Sequence, residues 1–567
     1  MKRYRLQYLV GFLCLLAVDG GQILIPQIIK QATDLIASGS FELSQIIRLS
    51  VGMVCIMAVI STGRFLWRYF IHGSARKIET TIRATLFDHL LSLSYDFYQK
   101  NKIGELMARV TNDLGAVRHA ISMGLVALVD GTVMAVAIMV IIFIQDTRTA
   151  FFAILPLPII TVLILFFGKY VGNKFLKAQE SYSAMSDTVQ ETFAGIRVIK
   201  SFVKEWWFID KFALTNDEYR RANMDVVKLF GIFFPLIAFL SGLTSLIVLL
   251  IGGIRVTEGL MTPGDLVSFF SYVQMLIWPL MGAGFLVNTI QRGAVSLGRV
   301  NAVLQTRPSI MSPENPIVGR NSPIAIAINN LTFSYPGGTP VLKNVNVIVK
   351  HGTMLGILGK TGSGKSTLIK TLSRTVEPPE NTVFINGVDV RQWDLIALRS
   401  VFGVTPQDSY LFSDSIKNNI AYGLERYDEE FLKKVAAFSA IDRDLATFAE
   451  GWNTVIGERG TTLSGGQKQR VAMSRSLAVQ PDILILDDSL SAVDTETEDR
   501  VLEALLNERA GKTTVIISHR VSTLRRADYI IVLDKGMVVE EGTHSALLSI
   551  DGVYARTALL QQLGGKR

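Results

Sequence analysis

The chain has 567 residues, 49% of them apolar and only 19% charged, with a mean hydropathy of +0.35. That length is a prior for about three or four domain-sized units, and that composition excludes a disordered tail protein and an ordinary cytosolic enzyme. Lys and Arg number 57 against 49 Asp and Glu, a basic excess whose placement speaks for a membrane surface and not for nucleic acid.

A bilayer core of roughly 30 Å needs about 20 apolar residues in a helix. Six stretches meet or approach this, at about 8–29, 47–72, 120–144, 150–168, 229–254 and 266–289, and none follows. The first is interrupted by Asp19, Gly20, Gly21 and Gln22; no A-x-A-like site follows its apolar run, so it reads as a retained span. With the N-terminus inside, the inner segments carry twenty Lys and Arg and the outer loops only Lys30, Arg148 and Arg255. This asymmetry places both chain ends in the cytoplasm. Cys14 and Cys55 lie in apolar stretches without metal-ligand spacing, so neither a disulfide framework nor a zinc site is expected.

The inner segments 73–118 and 169–228 contain no proline and carry apolar residues at helical spacing, for example Ile78, Ile82, Leu86 and Leu90. They read as extensions of the flanking spans, in arms on the order of 40 Å long. Turns are expected near Phe97–Met107 and Thr192–Lys200; hairpins without a partner are the alternative. Asp19 and Asp130 lie near mid-depth. They either line a polar cavity that accepts cationic amphiphiles or pair with a basic group that holds helices together. Arg64 reads as a side chain reaching the headgroup level. Phe269, Phe270, Tyr272, Met275, Trp278 and Met281 form either an adaptable apolar wall or a packing stripe.

Residues 1–305 thus read as a six-span transmembrane domain and 306–324 as a linker, with Pro308, Pro313, Pro316 and Pro323 in sixteen residues. In 325–567, β-rich runs at Val345–Val349, Met354–Leu358, Ile483–Leu486 and Thr514–Ile517 alternate with helical patterns, predicting a parallel α/β sheet. Gly359, Lys360, Thr361, Gly362, Ser363, Gly364, Lys365, Ser366 and Thr367 form a P-loop between an apolar strand and a helix. Its backbone amides would face phosphate oxygens, Lys365 would reach the β- and γ-phosphates of ATP, and Ser366 would ligate Mg²⁺. Asp487, at the end of the strand Ile483–Leu486, has the Walker B position for holding Mg²⁺ through water, and Asp488 follows it.

Between the two Walker motifs stands Leu463-Ser464-Gly465-Gly466-Gln467, and with it this half resembles the nucleotide-binding domain of ABC transporters. The resemblance implies that Tyr335 stacks on adenine, that Gln407 is the Q-loop glutamine near Mg²⁺ and the attacking water, that Ser491–Asp494 is the D-loop, and that His519 is the switch histidine. It extends to nearly the whole chain, which is similar to half-transporters of the exporter class, with coupling helices at the two inner turns and VIGERG at 455–460 as the exporter X-loop, Glu458 its contact residue. Importers of the family usually keep membrane and ATPase parts on separate chains. In the family each ATP lies between one P-loop and the opposite signature, so Ser464, Gly466 and Gln467 would meet the nucleotide of a second half-transporter.

Active members typically carry glutamate after the Walker B aspartate, and Asp488 is one methylene short. Its carboxylate would stand roughly 1–1.5 Å farther from the water, and misplacement of about 1 Å can cost on the order of 10²-fold in rate. The resemblance therefore points to the weakly hydrolytic subunit of a heterodimeric multidrug-type exporter, whose partner is a different chain bearing the glutamate. It implies export of hydrophobic or amphiphilic compounds, drugs or lipids, across a bacterial inner membrane, with the ATPase domain in the cytoplasm. A peptide exporter and a non-transporting channel or regulator are the alternatives.

Overall fold

The computed structural model describes residues 2–39, 42–317, 322–457 and 463–564. Their contacts divide the chain into two compact units, Met1–Ser92 with Asn101–Arg307 and Leu93–Lys100 with Pro308–Arg567.

Among the described residues, five helices of the first unit are long and apolar enough to cross a bilayer: Arg5–Ala37, Leu43–Ser92, Ile103–Gln145, Thr147–Ala194 and Glu205–Thr257. A sixth long helix, Pro263–Gln305, follows. Each expected span lies inside one of them. The second helix alone has 50 residues, or about 75 Å at 1.5 Å per residue, more than twice a bilayer core. The proline-free inner segments therefore do continue the spans as helix. The second helix passes through a π-helical turn at Arg68–His72, and the third through two, at Arg109–Asp113 and Ala120–Gly124. At its N-terminus, Thr262 and Asp265 cap the sixth helix reciprocally, and Asp34 of the first helix accepts hydrogen bonds from Gly264 N and Thr262 Oγ1.

The first of the two expected turns lies a few residues before its expected place, and the second opens at Gly195, within its expected range. The first runs through 93–102 and contains a short helix, Tyr95–Lys100. Its position is set by bonds from distant residues, for Ser94 Oγ accepts from Ile310 N and Asp96 from Ser309 Oγ. The second contains the short helix Ile196–Phe202, ended by Val203 at φ +51°.

Among the described residues the second unit holds ten strands: β1 Ile324–Ser334, β2 Pro340–Lys350, β3 Met354–Gly359, β4 Val383–Ile385, β5 Val388–Asp389, β6 Phe402–Thr405, β7 Ile483–Asp487, β8 Thr513–Ile517, β9 Tyr529–Asp534 and β10 Met537–Gly542. One sheet runs β10-β9-β3-β8-β7-β6, parallel except for β10; the other runs β2-β1-β4-β5 and is antiparallel. The expected parallel sheet is thus present, with one correction: Val345–Val349 belongs to the antiparallel sheet. β2 reads as an alternating strand with one wet face, whereas β3, β7 and β8 are buried throughout. Along β7, Ile483 and Ile485 enter the core on one face, and Leu484 and Leu486 the core on the other. This two-sided burial makes the strand a rigid mount for the residue at its carboxyl end.

Candidate nucleotide site

Parallel strands bring their carboxyl ends to one edge, the usual place for a ligand in an open α/β sheet. β3 delivers Gly359 there, β7 Asp487, β8 the Ser518-His519 pair and β6, two residues on, Gln407. The P-loop then turns into the helix Lys365–Leu372. Gly364 stands at φ +105°, and a Cβ on it would lie 2.8 Å from Leu342 Cδ2; both conformation and space demand glycine. Lys365 is buried, and its ammonium donates to the carbonyls of Gly359 and Lys360 at 2.8 and 2.9 Å. Burial holds this lysine below the ordinary lysine range, against the opposing pull of Asp487 and Asp488.

Ser366 Oγ donates to Asp487 Oδ2 at 3.1 Å. Burial pushes Asp487 above the usual carboxylate range; the Ser366 hydrogen bond, Lys365 and His519 work against that, while Asp488 adds to it. A hydroxyl and a carboxylate converging on one point are the hard oxygen ligands Mg²⁺ takes, usually in company with substrate phosphates. No group of three or more His, Cys, Asp or Glu able to hold a metal occurs among the described residues, so the chain by itself offers a partial shell that a nucleotide would complete. Beside Ser366 and Asp487 opens a cavity of about 400 Å³, also lined by Tyr95, Lys370 and Phe402.

Asp488 adopts φ +50°, a left-handed conformation that aspartate tolerates better than most residues. Its amide donates to Ile517 O, its carbonyl accepts from Ser491 Oγ, and its Oδ2 lies 3.8 Å from His519 Nε2. Asp487, Asp488 and His519 are therefore gathered at the edge where the P-loop ends. Tyr335, just past β1, puts its hydroxyl 3.3 Å from Thr367 Oγ1 and its ring edge-on to Phe333. Gln407 is exposed.

The signature residues have other neighbours. Ser464 caps the helix Gly465–Ala478 and exchanges hydrogen bonds with Gln467, whose amide also donates to Asp444. A Cβ on Gly466 would lie 2.7 Å from Ala492 O, so glycine here lets the D-loop press against the signature helix. Sequence reasoning missed Gln469. Its side chain donates to Asp488 O and Ser491 Oγ at 3.4 Å and accepts from Ala492 N, tying the signature helix to the turn after β7. No spacing rule marks a glutamine for that part. Glu458 and the rest of the second half of the expected X-loop, 458–460, lie outside the described residues.

A P-loop beside a strand-end aspartate, in a chain whose other unit is a set of membrane helices, defines an ATPase built into a membrane protein. The chain matches the ABC transporter transmembrane region over residues 8–280 and the ABC transporter family over 342–491. It is 37% identical over 566 residues to the probable multidrug resistance ABC transporter ATP-binding/permease protein YheI of Bacillus subtilis, covering 99% of this chain and 96% of that one. Other relatives are the multidrug resistance-like ATP-binding protein MdlA of Escherichia coli, 33% identical over 98% of this chain and 94% of that one, and an ATP-dependent lipid A-core flippase of Syntrophus aciditrophicus, 33% identical over 86% and 81%. The structure of a bacterial Atm1-family ABC exporter with ATP bound superposes with a TM-score of 0.81 at 25% identity, over 98% of this chain and 99% of that one. The chain belongs to the ABC transporters: it is a multi-pass half-transporter of the exporter type, an ATPase coupled to transport across a membrane.

Proposed function

We propose that this chain exports hydrophobic or amphiphilic compounds at the expense of ATP, with Mg²⁺ as cofactor, as the weakly hydrolytic half of a heterodimer. The observation that carries the reading is Asp488. The residue that follows Asp487 is held by its own backbone bonds to Ile517 and Ser491, so its shorter side chain is not offset by a free loop. In this reading Lys365 and the P-loop amides hold the phosphates, Ser366, Asp487 and Gln407 surround the Mg²⁺, which supplies charge neutralisation at the phosphates, and Tyr335 meets the base. His519 donates to the terminal phosphate. Ser464, Gly466 and Gln467 complete the site of a partner that carries glutamate. The multidrug and lipid-flippase names of the relatives support the cargo class, and their bacterial sources support a place in the inner membrane with the ATPase unit cytoplasmic.

ATP turnover by the chain alone and by the chain with a glutamate-bearing partner tests the reading. The homodimer should turn over on the order of 10²-fold more slowly than the pair, and Asp488→Glu should raise its rate. Robust turnover by the unaltered homodimer would remove the case for a heterodimer.

A further inference from the structure

Asp19 is 1% exposed in the middle of the first helix, and neither of its carboxylate oxygens has a hydrogen-bond partner among the described residues. The ionisable group that lies against it is Asp130 of the third helix, itself half-buried. The basic partner expected as one alternative is absent: no ion pair to either aspartate occurs among the described residues. The second helix brings Arg64 to about that depth, since Gly63 packs against Val18 and Cys14 and Gly21 against Ile60, but Arg64 is exposed and makes no ion pair with either aspartate among the described residues. The first helix carries no other charge between Arg5 and Lys30, the second none between Arg48 and Arg64, the third none between His119 and the end of its span, and the sixth none between Asp265 and Arg292. Arg68 and His72 lie in the π-helical turn that packs at Gly11, eight residues or about 12 Å along the first helix from Asp19.

Two adjacent carboxylates, one of them fully shielded from water, cannot both stay ionised without a counter-charge. Val18 and Leu15 are buried in the same stretch, so the surroundings offer no oxygen set for a metal ion, which takes six or more such ligands. A lipophilic organic cation loses little on leaving water and brings the missing charge. We propose that Asp19 and Asp130 form a cation site in the membrane half that holds a proton when free of cargo and exchanges it for one lipophilic cation. The exchange balances: one positive charge enters as the cation, one leaves as a proton to solvent, and no covalent bond other than the carboxyl O–H is broken. This deepens the export reading and rests on it for the cargo class.

Binding of tetraphenylphosphonium to the full chain in lipid nanodiscs without nucleotide, from pH 5 to 9, tests the site. One-proton exchange makes the affinity rise with pH by up to tenfold per unit. Asp19→Asn and Asp130→Asn should each weaken binding about tenfold and flatten that slope, leaving ATP binding and the affinity for neutral triphenylphosphine oxide unchanged. An affinity independent of pH in the unaltered chain, or an Asp130→Asn chain with normal ATP binding and unchanged phosphonium affinity, overturns the proposal. A measurement on the unaltered chain covers variants that fail to fold. Dicyclohexylcarbodiimide, which attacks protonated carboxyls, should label Asp19 or Asp130 faster at pH 6 than at pH 8, and tetraphenylphosphonium, but not Na⁺, should protect. Absence of label or protection by Na⁺ instead overturns it. ATP-driven phosphonium uptake into inverted vesicles reports separately on export: proton-linked binding without uptake of any amphiphile sinks the export reading and keeps the site, and pH-independent binding with uptake does the reverse.

Discussion

Lys365 is buried at the start of the helix that follows the P-loop, donating to its own chain and held below the ordinary lysine range by burial. Phosphate charge would draw its proton affinity back up. As pH rises toward the lysine range, the lysine of the free protein starts to lose its proton before an exposed lysine would, and ATP binding must restore it. Calorimetry of ATP binding in buffers of different ionisation enthalpy should therefore show proton uptake that grows between pH 8 and 10 and disappears in Lys365→Ala. The same variant should lose about ten- to a hundredfold in ATP affinity at pH 7, the size of one lost charge-assisted contact. Single residues of this kind were legible in the sequence because phosphate chemistry restricts residue type and spacing together. Gln469 was not, since its importance comes from meeting Asp488 and Ala492 across the fold, and any polar side chain of that length reads alike.

Among the elements, the turn after the short helix Ile196–Phe202 has a conformation at odds with its residue. Val203 N donates to Lys200 O and Lys204 N to Ile199 O, the paired bonds of a Schellman helix end, and Val203 holds the left-handed position that glycine usually takes. A β-branched residue there costs about 1–2 kcal/mol, and at 75% exposure Val203 recovers little by burial. Val203→Gly should be more stable than Val203→Ala by about 1 kcal/mol, the reverse of the ordinary helix order. Amide hydrogen exchange over residues 199–208 would register it as slower opening in the glycine variant. The long arms were legible because an unbroken apolar period without proline has few ways to stop being helix. The first turn was misplaced by several residues because its position depends on Ser309 and Ile310, some 200 residues away, whereas the second opens at Gly195, as expected. The antiparallel sheet was missed for a similar reason, as β2 finds its partner by pairing and not by any local signal.

At the scale of the molecule, the segment Leu93–Lys100 is grouped with the ATPase unit although the chain on both sides of it belongs to the membrane unit. Ser94 and Asp96 bind Ile310 and Ser309, Lys370 stands over the Tyr95 ring at 5.0 Å, and further along Ser312 bonds to Asp394 and Ile317 to Gln392. Residues 308–317 are thus laid down on the ATPase before β1 begins. It follows that the peptide bonds after residue 317 are dispensable as a tether. A gene split there, expressing 1–320 and 321–567 as two polypeptides, should yield pieces that co-purify, while the same split combined with Ser94→Ala and Asp96→Ala should weaken their recovery together. The fused and two-chain arrangements found among ABC transporters then differ by a cut that the folded protein can absorb.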